Sequence, residues 1–282
     1  MNSVEIRLPD GRLLEVHDSG GGDAGIVVWH HGTLRAGAPP APFHRAVAGA
    51  GLRWLSVSRP GHGRSTIAPG RSIAGIAADV AVVVERLGVE RFSTVGHSAG
   101  ASYALACAAL LPERVVSAVA IAGFAPRDPP DLDWYAGLDP VAGLFFRAAE
   151  KGRDHKLQFD RDHTNLHWLF PPADREVLAP ESGWFDGIDG TAGDAAVEAR
   201  ADDHIAMVSP WGFDLGTIAC PTVLLHGEAD LFVPATHARW LGATVPSARP
   251  WISPDDAHFT ILRRSGAVVE WTARHLAGTV PA

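Results

Sequence analysis

A serine at residue 98 lies where the chain changes from strand-forming to helix-forming residues. Residues 91–95 are β-prone, with branched and aromatic side chains, whereas residues 99–111 consist mostly of alanine and leucine, which favour helices. Glycines stand two positions before and after the serine, in the G-x-S-x-G pattern Gly96-His97-Ser98-Ala99-Gly100. The turn is so sharp that we expect only a hydrogen atom to fit at Gly96 and Gly100. A hydroxyl held at the positive end of a helix can act as a nucleophile, because negative charge that develops there is stabilised.

The bulk properties of the chain favour a globular protein that binds neither nucleic acid nor membrane. Its 282 residues suit one large α/β domain, or a domain with an insertion. The formal net charge of −8 argues against a nucleic-acid partner. No apolar run approaches the ~18–20 residues of a membrane span and no signal-peptide pattern opens the sequence, so we expect a cytoplasmic protein. Cys107 and Cys220 lack metal-ligand spacing, and Cys107 is expected to be a small buried residue.

Strand and helix patterns alternate along most of the chain. An antiparallel hairpin with an Asp-Gly turn is predicted over residues 4–16. Strands are then predicted at residues 25–29, 52–57, 91–95, 115–121, 221–226 and 249–252, with helices between them. This order predicts a mostly parallel, doubly wound sheet with helices on both faces. Active residues are expected at the carboxyl ends of its strands.

Residues 124–213, here called the inserted segment, break this alternation. The segment is rich in proline, shows only short helical patterns at residues 141–150 and 195–208, and holds 12 of the 22 aromatic residues of the chain. A flexible linker would be poor in aromatic residues. We therefore predict a small helical cap, inserted after the sixth strand, that covers a cleft. The predicted division is a core of residues 1–123 and 214–282, with the cap at residues 124–213.

Five short motifs, in this order along the chain, resemble those of the α/β-hydrolase fold family. The motifs are His31-Gly32 after the first long buried strand, Arg59-Pro60-Gly61-His62-Gly63-Arg64-Ser65, the pattern around Ser98, Gly227-Glu228-Ala229-Asp230 with Val233-Pro234 behind it, and Ala257-His258-Phe259. The resemblance covers nearly the whole chain and implies the α/β-hydrolase fold. The order serine, aspartate, histidine also matches this family.

The resemblance implies a catalytic triad of Ser98, Asp230 and His258. Serine is a weak nucleophile at its own pKa, so it needs a base, and His258 follows the last strand. Asp230 would fix the tautomer of the imidazole and stabilise the imidazolium. Asp255 and Asp256 lie nearer to His258 in the sequence, but the resemblance places the acid in the Gly-x-x-Asp loop. Asp202 and Asp203 are more distant alternatives.

The family pattern also implies an oxyanion hole made by the backbone N–H groups of Ala99 and Thr33, with Leu34 as the alternative to Thr33. His31 would hold the shape of this loop, and His97 would support the site or line it. Substrate contacts are expected from His31, Leu34, His97 and Phe259, and from the inserted segment. The candidates in that segment are Trp134, Phe146, Trp168 and Trp184.

The serine nucleophile narrows the reaction within the family. Haloalkane dehalogenases and epoxide hydrolases of this fold use an aspartate at that position. The sequence also lacks the Ser-Gly-Pro-Gly typical of carbon–carbon hydrolases of ring-cleavage products. We predict a hydrolase of a carboxylic ester, thioester or lactone of small to medium size, with no metal and no cofactor. Carbon–carbon hydrolysis, perhydrolysis, acyl transfer and a non-catalytic ligand-binding role remain as alternatives, and a monomer and a homodimer are both compatible with the sequence.

Overall fold

The structure, a computed structural model, describes residues 2–33, 37–127, 129, 131–163, 169–185 and 193–278. Its centre is an eight-stranded sheet with the strand order β1-β2-β4-β3-β5-β6-β7-β8. The strands are β1 (Asn2–Arg7), β2 (Leu13–Asp18), β3 (Ile26–His30), β4 (Arg53–Val57), β5 (Phe92–His97), β6 (Val115–Ile121), β7 (Thr222–Gly227) and β8 (Ala248–Ser253). This arrangement confirms the predicted fold class.

Strand direction divides the sheet into an antiparallel edge and a parallel remainder. β1 and β2 form the predicted hairpin, with Val4 opposite Val16, and β2 also runs antiparallel to β4. All pairs from β4 to β8 are parallel. The parallel strands therefore end at one edge of the sheet, where loops from different parts of the chain meet.

Helices cover both faces of the sheet. The helices outside the inserted segment are α1 (Ala41–Gly49), α2 (Ile73–Arg86), α3 (Ala99–Leu110), α8 (Ala235–Thr244) and α9 (Ser265–Leu276). One apolar cluster holds residues of α2, α3 and α8, and a second holds residues of α1 and α9. Consecutive side chains of β3 point to opposite faces of the sheet, as in any strand. Val28 therefore belongs to the first apolar cluster and Val27 to the second.

Helix α2 shows how local sequence sets the ends of an element. Its N-cap, Ser72, accepts a hydrogen bond from the N–H of Gly75, as its residue type predicts. Gly88 follows the C-cap with φ of +67°, a conformation in which glycine lacks the usual steric penalty. Both predicted ends of α2 are confirmed. Cys107 is fully buried in α3, also as predicted.

The described part of the inserted segment is helical and lies between β6 and β7 in the chain. It contains α4 (Pro140–Glu150), α5 (Arg153–Asp162), α6 (Pro172–Leu178) and α7 (Gly193–Val208). The patterns at 141–150 and 195–208 correspond to α4 and α7, whereas α5 and α6 were not predicted. Helix α5 buries Lys156 and Asp160 beside Leu157, so its inward face lacks an apolar period. None of the described helices of the chain combines the length and apolar character that crossing a bilayer requires.

Candidate active site

Ser98 lies on the strained turn between β5 and α3. Its φ is +58°, which a residue with a side chain seldom adopts. A Cβ at Gly96 would lie 2.0 Å from the carbonyl oxygen of Gly100, and one at Gly100 would lie 2.1 Å from that of His30. The expectation that only hydrogen fits at these two glycines is therefore confirmed. The turn raises the Ser98 side chain at the carboxyl end of the sheet.

His258 connects Ser98 to Asp230. Its Nε2 lies 3.0 Å from the Ser98 Oγ, and its Nδ1 lies 2.8 Å from the Asp230 Oδ2. Since the carboxylate accepts a hydrogen bond, a neutral His258 carries its proton on Nδ1 and offers Nε2 as the acceptor for the serine hydroxyl. This is the geometry that a base needs to remove a proton from serine. Each of the three residues follows the carboxyl end of a parallel strand.

Asp230 is buried and held from two sides. Its Oδ1 accepts hydrogen bonds from the backbone N–H groups of Phe232 (2.9 Å) and Val233 (2.8 Å), which leaves Oδ2 for His258. Burial raises the pKa of Asp230, but the charge of His258 and the neighbouring His226 outweigh burial and hold that pKa well below its usual range. The carboxylate is therefore ionised wherever the protein is folded near neutral pH.

The other acids considered from the sequence have different partners. The Asp256 Oδ2 accepts hydrogen bonds from the Ser253 Oγ (2.6 Å) and the Arg264 Nε (3.0 Å), and Asp255 is exposed. Asp202 pairs with Arg153 at 2.8 Å. The geometry thus brings Asp230, and not these residues, to His258.

Two buried histidines hold backbone segments of the site. The His97 ring bonds through Nε2 to the carbonyl oxygen of His258 at 2.8 Å, so it fixes the loop that carries the base. The His31 Nδ1 donates to the carbonyl of Gly32 at 2.7 Å, and its Nε2 accepts from the N–H of Arg59 at 3.1 Å. Burial lowers the pKa of His97 to about 3 and that of His31 well below its usual value, so both rings are neutral.

The two expected oxyanion donors belong to residues near Ser98, one next to it in the chain and one in the wall of its cavity. Ala99 is the first residue of α3, so its N–H has no carbonyl partner within the helix. Thr33 lines the same cavity as Ser98. At Gly32 an added Cβ would lie 3.4 Å from the Ser98 Cβ, so the loop before Thr33 passes close to the nucleophile. Leu34, the alternative donor, lies outside the described residues.

Arg59 joins this loop to the inserted segment. Its Nη1 donates to the carbonyl of His31 (2.5 Å) and its Nη2 to that of Gly32 (3.3 Å). The same guanidinium forms a salt bridge of 2.7 Å with Asp203 of α7, and both side chains are buried. Arg59 belongs to the second of the chain's five family-like motifs, for which the sequence alone indicated no catalytic role.

A second contact joins the inserted segment to the loop of the base. The Asp174 Oδ1 in α6 accepts hydrogen bonds from the N–H groups of Phe259 (2.9 Å) and Thr260 (2.7 Å), directly after His258. Burial raises the pKa of Asp174, and the charge of His258 opposes that rise. This contact could not be predicted from the sequence, because Asp174 lies 84 positions before His258 and in no motif.

A largely apolar cavity opens beside Ser98. Its empty space, counting the open mouth, is about 600 Å³. Three of the expected contact residues, His31, His97 and Phe259, line it. The other lining residues are Trp29, Gly32, Thr33, Ala38, Pro40, Ser98, Phe170, Phe185, His204, Phe232, His258 and Leu262.

Three aromatic residues expected at the cavity are packed elsewhere. Trp134 and Phe146 are buried against Phe124, at ring distances of 4.9 and 4.8 Å, because the inward face of the inserted segment packs on the core there. Trp184 packs against the second apolar cluster and does not line the cavity. Trp168 lies outside the described residues.

Several lining residues were missed as individual contacts. Phe232 lies two positions after Asp230, so the acid loop brings it to the cavity, and Trp29 lies in β3, two positions before His31. These two could have been found from their distance to a motif. His204 had no such signal. Among the described residues, no group of three or more histidine, cysteine or acidic side chains is arranged to hold a metal ion.

Comparisons with known proteins agree with this fold. The family model for the alpha/beta hydrolase fold matches residues 25–264. A 2-hydroxy-6-oxononadienedioate/2-hydroxy-6-oxononatrienedioate hydrolase from Pseudomonas sp. is 33% identical over 288 residues, covering 96% of this chain and 92% of that protein. A bifunctional esterase/perhydrolase from Acinetobacter calcoaceticus is 30% identical over 241 residues, with 81% and 83% covered.

A solved structure, that of a thermophilic esterase from Thermogutta terrifontis, is similar with a TM-score of 0.70 at 20% identity, covering 98% of this chain and 99% of that one. This likeness concerns the fold. The family match, by contrast, spans most of the chain and includes all five motifs. The chain belongs to the alpha/beta hydrolase fold family of hydrolases.

Proposed function

We propose that the protein hydrolyses a carboxylic ester, thioester or lactone of a small to medium substrate through an acyl-enzyme on Ser98. The observation that carries the proposal is the continuous line of hydrogen bonds from Ser98 through His258 to Asp230 beside an apolar cavity. A lone serine and histidine would be weaker support, because Asp230 is what fixes the tautomer that makes Nε2 basic.

The first half of the reaction forms the acyl-enzyme. The Ser98 Oγ attacks the carbonyl carbon while His258 takes the hydroxyl proton on Nε2. The carbonyl oxygen becomes an oxyanion, for which the N–H groups of Ala99 and Thr33 are the proposed donors. Collapse of this intermediate breaks the carbon–oxygen bond, and the leaving alcohol receives the proton from His258.

Water completes the cycle. It loses a proton to His258, attacks the acyl carbon, and forms a second oxyanion in the same place. The Ser98 oxygen then leaves with the proton from His258, which releases the carboxylic acid and restores the enzyme. Asp230 stays ionised throughout and stabilises the imidazolium that forms twice in each cycle.

A panel of p-nitrophenyl esters with acyl chains of two to twelve carbons tests this proposal. We expect hydrolysis with saturation kinetics and a burst of nitrophenol equal to the enzyme concentration where deacylation is slow. The Ser98→Ala protein is the control. Wild-type rates no higher than those of Ser98→Ala across the panel would overturn the proposal.

A second candidate is hydrolysis of a carbon–carbon bond next to a carbonyl group. It is favoured by the 33% identity to the Pseudomonas hydrolase named for oxo-dienedioate substrates. In that reaction the hydroxyl of water ends on the acyl carbon and its proton on the leaving carbon. Disappearance of the absorbance of an oxo-dienedioate, with no cleavage of the ester panel, would favour this candidate over ester hydrolysis.

A further inference from the structure

His204 of α7 is the polar lining residue that the proposed chemistry does not use. His204 is one of the residues that line the cavity with Ser98, and it is 4% exposed. Among the described residues its Nδ1 has no hydrogen-bond partner. His31 and His97, in the same wall, each bond to a backbone carbonyl, so His204 differs from the other histidines of the cavity.

Packing holds the His204 ring in place. The ring lies 4.8 Å from that of Phe146 and 6.2 Å from that of Phe145, both on α4. An unbonded polar group inside a protein carries a desolvation penalty that a bound ligand can remove. Trp29, another lining residue, also has a buried and unpartnered Nε1, so two residues of the cavity each carry a ring nitrogen without a partner among the described residues.

The positive charges near His204 favour an electron-rich partner. Lys156 and Arg200 share a single carboxylate, that of Asp160, with the Lys156 Nζ at 2.5 Å and the Arg200 Nε at 3.3 Å from its oxygens. Burial first, and then these two cations, lower the pKa of His204 well below its usual value. The carboxylate of Asp203, the residue before His204, already forms ion pairs with Arg59 and Arg71 and a hydrogen bond with His62.

We propose that His204 donates a hydrogen bond to a second oxygen of the substrate, a carbonyl or carboxylate oxygen separate from the reacting carbonyl. The inference rests on the proposed hydrolysis at Ser98 and specifies its substrate: an oxo-acyl or dicarboxylic half-ester in place of a plain alkyl ester. A site that hydrogen-bonds a substrate oxygen discriminates strongly against the analogue that lacks it, because the donor is then left unpaired.

Three matched series of p-nitrophenyl esters test this inference. One series carries plain acyl chains, one a keto oxygen three to six carbons beyond the ester carbonyl, and one a terminal carboxylate at the same positions. We expect kcat/KM for at least one oxygenated ester to exceed that of its plain counterpart by about tenfold or more. The keto and carboxylate arms distinguish the two kinds of oxygen.

Two substitutions show whether His204 is responsible. His204→Leu removes the donor and should bring the ratio of oxygenated to plain kcat/KM close to one. His204→Gln keeps an N–H donor on a side chain of similar reach and should retain part of the preference. A ratio that His204→Leu leaves unchanged, or no preference in any wild-type pair, would overturn the inference while leaving ester hydrolysis itself established.

A binding measurement separates the two proposals. Titration of the Ser98→Ala protein with the methyl esters of the same acids, by calorimetry, needs no turnover. Tighter binding of the oxygenated ester, lost in the Ser98→Ala, His204→Leu double variant, supports the inference. Equal affinities for oxygenated and plain esters overturn it. Failure of Ser98-dependent hydrolysis would instead be seen in the ester panel alone.

Discussion

Arg59 and Asp203 form a buried salt bridge, with 2.7 Å between Nη2 and Oδ2, that joins the inserted segment to the loop before Thr33. Neighbouring positive charges hold the pKa of Asp203 well below its usual range, although burial opposes this. The same guanidinium bonds to the carbonyls of His31 and Gly32. A contact between α7 and the core thus fixes the direction of the peptide that presents the proposed oxyanion donor.

Arg59→Met should lower kcat more than it raises KM. Without the guanidinium, the carbonyls of His31 and Gly32 lose their donor, and the N–H of Thr33 is held less well. Loss of one oxyanion donor costs about 10²–10³ in kcat, so misplacement of that donor should cost about 10- to 100-fold. Steady-state kinetics at a temperature where the variant is folded measures the effect.

Arg71→Met is the matched control for Arg59→Met. Arg71 also bonds to Asp203, at 2.8 Å, but its other hydrogen bond is to the carbonyl of Ala199 in α7 and not to the loop before Thr33. We expect Arg71→Met to lower the melting temperature with little change in kcat. Equal losses of kcat in both variants would show that the loop does not depend on Arg59 in particular.

Asp230→Asn should reduce kcat by about 10⁴, as loss of the correct histidine tautomer does in a serine protease triad. The fold should persist, because an asparagine oxygen can still accept from the N–H groups of Phe232 and Val233. Asp256→Asn serves as the control, since Asp256 bonds to Ser253 and Arg264. If Asp256→Asn were the more damaging of the two, Asp230 would not be the acid.

The free energy of unfolding should fall as pH drops below about 6.5, the pKa of an unfolded histidine. Burial lowers the pKa of His30, His97 and His237 to about 3, so each stays neutral in the folded protein while its unfolded form takes up a proton. Each such histidine contributes stability that is complete above about pH 6.5 and lost towards pH 3, at about 1.4 kcal/mol per pH unit. Urea unfolding between pH 8 and 5 measures this slope.

His237→Gln tests the origin of the pH effect outside the site. Glutamine can accept from the N–H of Ala125 and donate to the carbonyl of Trp134, as His237 does at 3.1 Å in each case. In this variant the slope of the free energy of unfolding against pH should decrease by the contribution of about one bound proton. Asp230, with its lowered pKa, contributes only below about pH 4. Stability that stays constant from pH 8 to 5 contradicts the prediction.

Phe185→Leu should change the preference for acyl-chain length, because Phe185 lines the cavity. Lost apolar area weakens binding in proportion, at about 25 cal/mol per Å², so a ring edge is worth about threefold to tenfold in relative kcat/KM. Trp184→Leu, one residue earlier, should lower stability without a change in preference. Identical preference profiles for Phe185→Leu and wild type across the ester panel would remove this residue from the specificity wall.

The sheet could be predicted from the sequence because its strands carry strong local signals. Apolar runs such as Val115–Ile121 are bounded by breakers, and Ser72 and Gly88 mark both ends of α2. Helices α5 and α6 lack such signals. The inward side of α5 includes the ion pair of Lys156 and Asp160, so its apolar period is absent, and the seven residues of α6 are too few to show one.

The residues of the site also fall into those that could be predicted from the sequence and those that could not. Ser98, Asp230 and His258 follow strand ends within short motifs, so their meeting could be expected from the sequence. Arg59 lies in a motif, but its partner Asp203 lies 144 positions later, and no local pattern records such a contact. Trp134 and Phe146 show that amino-acid composition alone does not predict which rings line the cavity. The aromatic content of the inserted segment predicted an aromatic cavity wall, yet these two rings pack inward on Phe124.

Covalent labelling of Ser98 by a fluorophosphonate probe is the most direct test of the proposed mechanism. The probe reacts with a serine whose hydroxyl is deprotonated by a neighbouring base, and mass spectrometry of the digested protein locates the adduct. We predict a single adduct on the peptide that contains Ser98, no adduct in Ser98→Ala, and ester hydrolysis by Ser98→Ala reduced by on the order of 10⁴–10⁶. Full labelling of Ser98→Ala, or an adduct on a different serine of the wild-type protein, would contradict the mechanism.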